Sequence, residues 1–419
     1  MKKKIFLFVF LFLFYSCKEK TGSATDKNEK IELDTSELSL PADVPEIIET
    51  IPIFSSCTNY NNNLSAIAAD ISFIQMDFDP PFDDNKISDI ALSENNIFLS
   101  GLYKVMSYDR NGKFLREIGS MGQGPKEYAQ INAALQIDPV RKLIYIQDVA
   151  RKALVFRFDG TFVKNIPIKV GKIALIDSSM IALRSTNNDR KMKPAPLIKF
   201  INRDGGDIKT HWSNNYPIPR QPRELLANEN FLWNCNNDFY YLEFGADTIF
   251  RIAGDTLIPA RVLTGNLKLS LIESNRGESG NKLRLYSNIF SQNPCIFESN
   301  RFMICRLLSD YEYFITVYDK KEKRFHRTYY DNAAESQLSH TKQMGYFYDD
   351  MVSGLNFNPK FQSMGKALAL IPAAEIYEKK KEILDFIAKH PHERSNQFKK
   401  IVQEITEDDN AVLMLVTFK

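Results

Sequence analysis

Cysteine is scarce in this chain. There are five among 419 residues, at positions 17, 57, 235, 295 and 305, too few and too scattered for a disulfide scaffold or a zinc site of the C-x-x-C kind. Histidine is as rare, with His211, His326, His340, His390 and His392, and none forms an i, i+4 zinc pair. Gly-x-Ser-x-Gly is missing, and with it the ordered nucleophile, base and acid of a serine or cysteine hydrolase. A surplus of one charge is missing too: of 54 basic residues three lie in the first four positions, leaving 51 against 52 acidic ones. Such a balance offers no electrostatic footprint for nucleic acid.

The one long apolar run, Ile5 to Phe14, follows Lys2, Lys3 and Lys4 and is shorter than the ~20 residues needed to span a bilayer. A basic segment, an apolar core and then Ser16-Cys17 read as an export signal over residues 1–17. Phe14-Tyr15-Ser16-Cys17 resembles a bacterial lipobox, with Phe14 and Tyr15 bulkier than the usual residues. Cys17 is therefore the expected lipidation site, and the expected location is the cell envelope, anchored to a bacterial outer membrane. Residues 18–50 are rich in Lys, Glu, Asp, Ser and Thr without an apolar period, as in a flexible tether. From Ile51 to Lys419 the apolar content suffices for one large domain.

What is abundant is a repeated phrase of strand, turn and strand. VMSYDRNGKFLREIG from Val105 is followed within one repeat length by ALVFRFDGTFVKNI from Ala153. The strand ends before the turns fall at Tyr108, Phe158, Ile201, Ile252 and Tyr318, at intervals of 50, 43, 51 and 66 residues. A period of roughly 40–50 residues suits the four-stranded blade of a β-propeller. Hairpin mates precede them at 97–100, 144–147, 180–184, 239–243 and 302–307. Runs such as Leu143-Ile144-Tyr145-Ile146 do not alternate, which implies that both faces are covered. Asp109 with Gly112 and Asp159 with Gly160 supply the turn chemistry.

The ends depart from this pattern. The spacing predicts helices over 373–389 and 395–406, then a final strand over 411–418. Ile71 to Phe78 is a strand without a hairpin partner. A toroid must close, so the N-terminal strand is expected to pair with the C-terminal one in a shared last blade.

Three segments carry a family resemblance: Gly119-x-x-Gly122-x-Gly124-Pro125-x-Glu127-Tyr128, Asp247-Thr248-Ile249-Phe250-Arg251-Ile252, and Asp408-Asp409-Asn410-Ala411-Val412-Leu413. The chain resembles the six-bladed β-propeller lipoproteins of Gram-negative gut anaerobes, NHL-like and TolB-like in layout, with Ala411 where those proteins usually have proline. The resemblance implies an all-β, six-bladed propeller closed by its N- and C-terminal strands, with two short helices before the last strand. It implies little about function.

The glycine cluster at 119–128 fails as a nucleotide loop. The third glycine of the dinucleotide fingerprint is missing, and Pro125 holds the P-loop lysine position. It reads instead as the crossing between two blades, with Tyr128 packed beneath. Loops at the mouth of the central channel are the remaining candidates: Asp148, Arg151, Arg184, Tyr241, Glu243, Arg306 and Asp349 could meet a glycan, a peptide or a partner protein. The expected function is a non-catalytic binding module without cofactor. The alternative is a calcium-dependent lactonase- or esterase-like hydrolase with the metal held by Asp148, Glu243, Asp349 and Asp350, since calcium prefers such oxygen ligands. Cys295 and Cys305 flank a turn, and two buried thiols are expected there rather than a bridge.

Overall fold

Neighbouring residues of one strand serve different interfaces, and this is why the strands lack alternation. Ile144 and Ile146 join one core cluster with Phe98 and Ile118, while Tyr145 between them joins another with Ile173 and Ile201. Each sheet is thus sandwiched between two others. The computed structural model describes residues 48–52, 58–59, 62–131, 135–150, 152–168, 172–177, 180–184, 195–213, 231–242, 248–264, 283–285, 296–309, 312–327 and 346–419.

Five blades are wound in succession. The first comprises Ile87–Leu92, Asn96–Gly101, Val105–Asp109 and Phe114–Glu117 in that order, and the second Gln136–Asp138, Leu143–Asp148, Lys152–Arg157 and Phe162–Pro167. The third comprises Lys172–Leu175, Met180–Arg184, Ala195–Asn202 and Asp207–Ser213, and the fourth Phe231–Cys235, Asp238–Leu242, Thr248–Ala253 and Thr256–Thr264. In the fifth, Leu283–Leu285 and Ile296–Glu298 both pair with Phe302–Ser309, followed by Glu312–Asp319 and Arg324–Arg327. The expected hairpins are present, with Tyr108 opposite Ile97 and Tyr318 opposite Met303.

The blade count is five, not the six that the resemblance implied. Among the described residues no further stretch of chain folds as a repeat of its own. The ring is completed by a closing sheet drawn from both ends, in the order Phe361–Ser363, Lys366–Ile371, Val412–Phe418, Ala68–Gln75. Its last two strands are antiparallel, with Met414 opposite Phe73, as expected of the shared terminal strands. One face packs against the fifth blade through Ile304 and Val317, and the other against the first through Leu99 and Met106.

Three helical segments stand between the closing sheet's second and third strands. The expected helix over 373–389 is divided into Ala373–Glu378 and Lys380–Lys389, because Lys379 leaves helical geometry (φ −90°, ψ 8°) and donates its N–H back to Glu375 and Tyr377. Ser395–Glu404 follows, and Phe398 stacks on Phe73 at 4.0 Å, covering the N-terminal strand. Asn410 then latches the two ends together. Its Nδ2 donates to the carbonyls of Asp77, Phe78 and Pro80, and its Oδ1 accepts the Phe82 N–H at 2.9 Å. Held this way, residues 77 and 78 leave the strand, which ends at Gln75 rather than at the expected Phe78.

Before reaching the closing sheet the N-terminal segment runs as a belt along the rim. Glu49–Pro52 pairs in parallel with Arg261–Thr264 of the fourth blade, and Thr58–Asn59 with His326–Arg327 of the fifth. Glu49 and Thr50 therefore belong to a strand, although composition had assigned them to the tether. The belt is fastened by charge. Arg261 lies 3.1 Å from the Glu49 carboxylate and 2.6 Å from that of Glu298, and its guanidinium stacks over the Tyr240 ring. Glu298 is wholly enclosed and also accepts from Lys320 Nζ at 2.6 Å and Trp233 Nε1 at 2.7 Å. Burial lowers the proton affinity of Arg261, but Glu298, Tyr240 and Glu49 more than restore it, so the guanidinium sits above its ordinary pKa.

Cys235 and Cys305 are free and buried, and burial raises both thiols above their ordinary pKa. Cys295 lies outside the described residues. No helix among the described residues is long and apolar enough to cross a membrane.

Candidate functional site

Of the residues expected at the channel mouth, Asp148, Tyr241 and Asp349 are buried, each in a different part of the fold. Asp148, buried at the end of Leu143–Asp148, accepts the N–H groups of Ala129 and Gln130 at 3.2 Å each and lies 3.7 Å from Lys152 Nζ. Its carboxylate fastens the crossing from the first blade to the second. Tyr241 is a correction: it was expected at the mouth, yet its ring is fully buried between the third and fourth blades with Ile198 and Phe200. Arg184 and Arg306 belong to the strands Met180–Arg184 and Phe302–Ser309, and their side chains, like Arg151 and Glu243 as a whole, lie outside the described residues.

Asp349 and Asp350 are structural in a way their sequence hid. Asp349 is fully buried, and its two oxygens accept the N–H groups of Met351, Val352 and Ser353 and the Ser353 hydroxyl, at 2.5–3.0 Å. Burial raises its pKa, against the opposing pull of those donors. Asp350 accepts from the backbone N–H and hydroxyl of Ser65 at 2.9 and 2.5 Å. Among the described residues no group of three His, Cys, Asp or Glu side chains could hold a metal ion.

The crossing at Gly119–Tyr128 is as expected. Tyr128 is buried between the first two blades, and the Gly124 N–H is held by Glu127 Oε2 at 2.8 Å. On the inner strand of the first blade, Asp89 keeps some exposure as a residue, but its carboxyl end is enclosed. Burial pushes it up to about 7, against hydrogen bonds from the Ile90 and Leu135 N–H groups.

A concave site opens where the sequence pointed to none, on the seam between the first and second blades, with a cavity volume of about 500 Å³. Its first wall is the turn Ser93–Asn96 with Leu115 and Arg116, and its second the turns Pro139–Lys142 and Arg157–Asp159. Local chemistry fixes both walls. Asp138 Oδ1 accepts the Arg141 N–H at 3.0 Å and shapes the first turn, which ends on Lys142 at φ 55°. The Phe158 N–H donates to the Lys142 carbonyl at 3.0 Å and joins the two turns of the second blade. Phe158 packs against Phe98 across the seam at 4.8 Å, and Arg116 Nη1 reaches the Asp159 carbonyl at 2.8 Å. Asp159 is held below the usual carboxylate range, chiefly by the Thr161 N–H and then by its hydroxyl, with Arg157 and Arg116 adding to it.

The groove has an excess of positive charge. Arg116, Arg141, Lys142 and Arg157 face Glu94 and Asp159. Arg141 lies 3.7 Å from the buried Asp138, which also holds Arg203 at 3.0 Å; Lys142 and Arg157 make no side-chain hydrogen bond or ion pair among the described residues. Asp-Pro-Val-Arg-Lys from 138 and Arg-Phe-Asp from 157 were visible as charged turns. Strand pairing within the second blade brings the two turns together, and packing against the first blade makes a groove of them.

Sheets packed radially in a ring, with consecutive blades and a terminal closure, define the protein as a β-propeller. The chain belongs to the family described as Domain of unknown function (DUF4934), whose pattern matches residues 48–417. No curated protein matches it. Among solved structures it is similar to a Bacteroides fragilis protein provisionally named as exported, at 16% identity with a TM-score of 0.58, covering 89% of this chain and 100% of that one. A Bacteroides vulgatus member of the duf4221 family matches at 13% identity and a TM-score of 0.45, covering 84% of this chain and 97% of that one. The first likeness bears on the fold alone.

Proposed function

We propose that this protein is a lipid-anchored propeller of the bacterial envelope that binds a ligand, without catalysing a reaction, in the groove between its first two blades. The observation that carries this reading is the groove itself. It is a cavity of ordinary ligand-site size, rigidly walled by hydrogen-bonded turns and carrying unpaired cations. A binding role is supported by two of the carboxylates considered for catalysis, since Asp148 accepts N–H groups of a crossing and Asp349 those of its own loop.

The anchor rests on the basic and apolar leader ending at Cys17, and the provisional description of the B. fragilis relative as exported agrees with it. Replacement of Cys17 by alanine is expected to move the protein from the membrane fraction to the soluble fraction. Continued sedimentation of the C17A protein with membranes would refute the anchor. Binding is tested by thermal shift against a panel of glycans and peptides: a ligand raises the melting temperature of the wild type but not of a variant with Arg157→Gln and Lys142→Asn. Equal shifts in both proteins would remove the groove from the proposal.

A further inference from the structure

We propose that the ligand of the seam groove is an acidic saccharide, held by pairing of a sugar carboxylate with Arg157 and Lys142. This rests on the reading of the groove as a binding site and goes further by assigning the chemical class of its ligand.

The argument starts from which groups are already occupied. Asp159 is committed to the Thr161 N–H of its own turn, and Arg116 spends one guanidinium nitrogen on the Asp159 carbonyl. Arg141 leans toward Asp138. Lys142 and Arg157 are exposed and make no such contacts among the described residues, so the groove holds cationic donors awaiting acceptors. A guanidinium beside an ammonium matches a carboxylate, the first through its planar fork and the second as a point charge. A concave wall also focuses the field of its charges on what enters it.

The neutral part of the lining argues for a sugar. The amides of Asn95 and Asn96 offer donors and acceptors together, which suits the hydroxyls of a pyranose. Leu115, Pro139 and Phe158 supply apolar surface for its C–H face. A peptide would gain most by pairing its backbone with a strand edge, but here the walls are chiefly turns, with Leu115 and Arg116 within a strand and Asn96 and Arg157 at strand ends.

The test is calorimetric titration of the full chain with three probes: trigalacturonate, its trimethyl ester and triglutamate. Trigalacturonate is expected to bind, and the ester, with the same rings and no charge, about tenfold or more weakly. Arg157→Gln with Lys142→Asn is expected to weaken trigalacturonate by a similar factor without changing the melting temperature of the free protein, and raising the salt should weaken the wild type. Ester binding as tight as that of the acid overturns the assignment, as does equal binding of triglutamate. Absence of trigalacturonate binding also overturns it. In that case a panel ligand whose thermal shift is lost in the double variant keeps the groove as a binding site for another class; no shift from any panel member overturns both.

Discussion

Removing the enclosed carboxylate of Glu298 tests how the propeller's rim is held. The side chain is fully buried and accepts three donors, so Glu298→Ala leaves Arg261, which is 10% exposed, with Glu49 as its remaining carboxylate and Lys320, which is 18% exposed, with the Ser299 carbonyl alone. Loss of one partner from a buried ionic cluster costs about 3–5 kcal/mol, because the remaining charges have lost water without recompense. Unfolding entropy of roughly 2.1 cal/mol/K per residue over about 370 matched residues turns this into a fall of about 4–6 °C in melting temperature. Calorimetry at pH 7 in 0.15 M salt reads the fall directly. Arg261 also pairs with Glu49, so exchange of the Glu49, Thr50 and Ile51 amides should quicken in the same variant. Replacing Glu298, Arg261 and Lys320 together by Leu, Met and Met should recover most of the loss, since an apolar cluster carries no stranded charge. A fall below about 1 °C for Glu298→Ala would refute the reasoning, because a carboxylate that unimportant could not be organising two buried cations.

Two further substitutions follow from the geometry. Asp89 holds its proton up to about 7 when folded and loses it near 4 when unfolded, so the native state binds the extra proton between those values and stability declines as pH rises through that window. Asp89→Asn should flatten the decline and stabilise the protein above pH 7 by an amount on the order of 2–4 kcal/mol; parallel wild-type and variant curves of melting temperature from pH 4.5 to 8 would contradict it. Gly112 has φ +88°, and a Cβ there would stand 1.9 Å from the Gln75 carbonyl oxygen, so Gly112→Ala should cost roughly 2–4 kcal/mol in urea unfolding. Gly254→Ala is the control, with φ +57° but open space around it, and should cost only about 1 kcal/mol; equal losses at the two sites would show that the close approach to Gln75 is unimportant.

Much of the fold was legible because its signals are local. Tyr108, Ile201, Ile252 and Tyr318 each end a strand before a tight turn, and Ile144, Tyr145 and Ile146 announce two covered faces by failing to alternate. The closure was legible by elimination, since the strand before Asp77 had no neighbour to pair with. The belt was not, because Glu49–Pro52 pairs in parallel with residues over two hundred positions away and has no turn to declare it. Tyr241 misled because a strand end near a loop does not reveal which way its ring points. Asp349 misled because Asp-Asp before Met, Val and Ser looks solvated until the chain wraps three N–H groups around it. The groove is harder still: Arg157 and Lys142 are ordinary surface cations in sequence, and the concave wall opposite them comes from another blade.

The belt also has a bearing on orientation. Shared cores place the first and second blades side by side, and likewise the fourth and fifth, with the third blade between these pairs on one side and the closing sheet on the other. Glu49 joins the rim at the fourth blade, so the seam of the first two blades that carries the basic groove is left clear of the Glu49–Pro52 pairing.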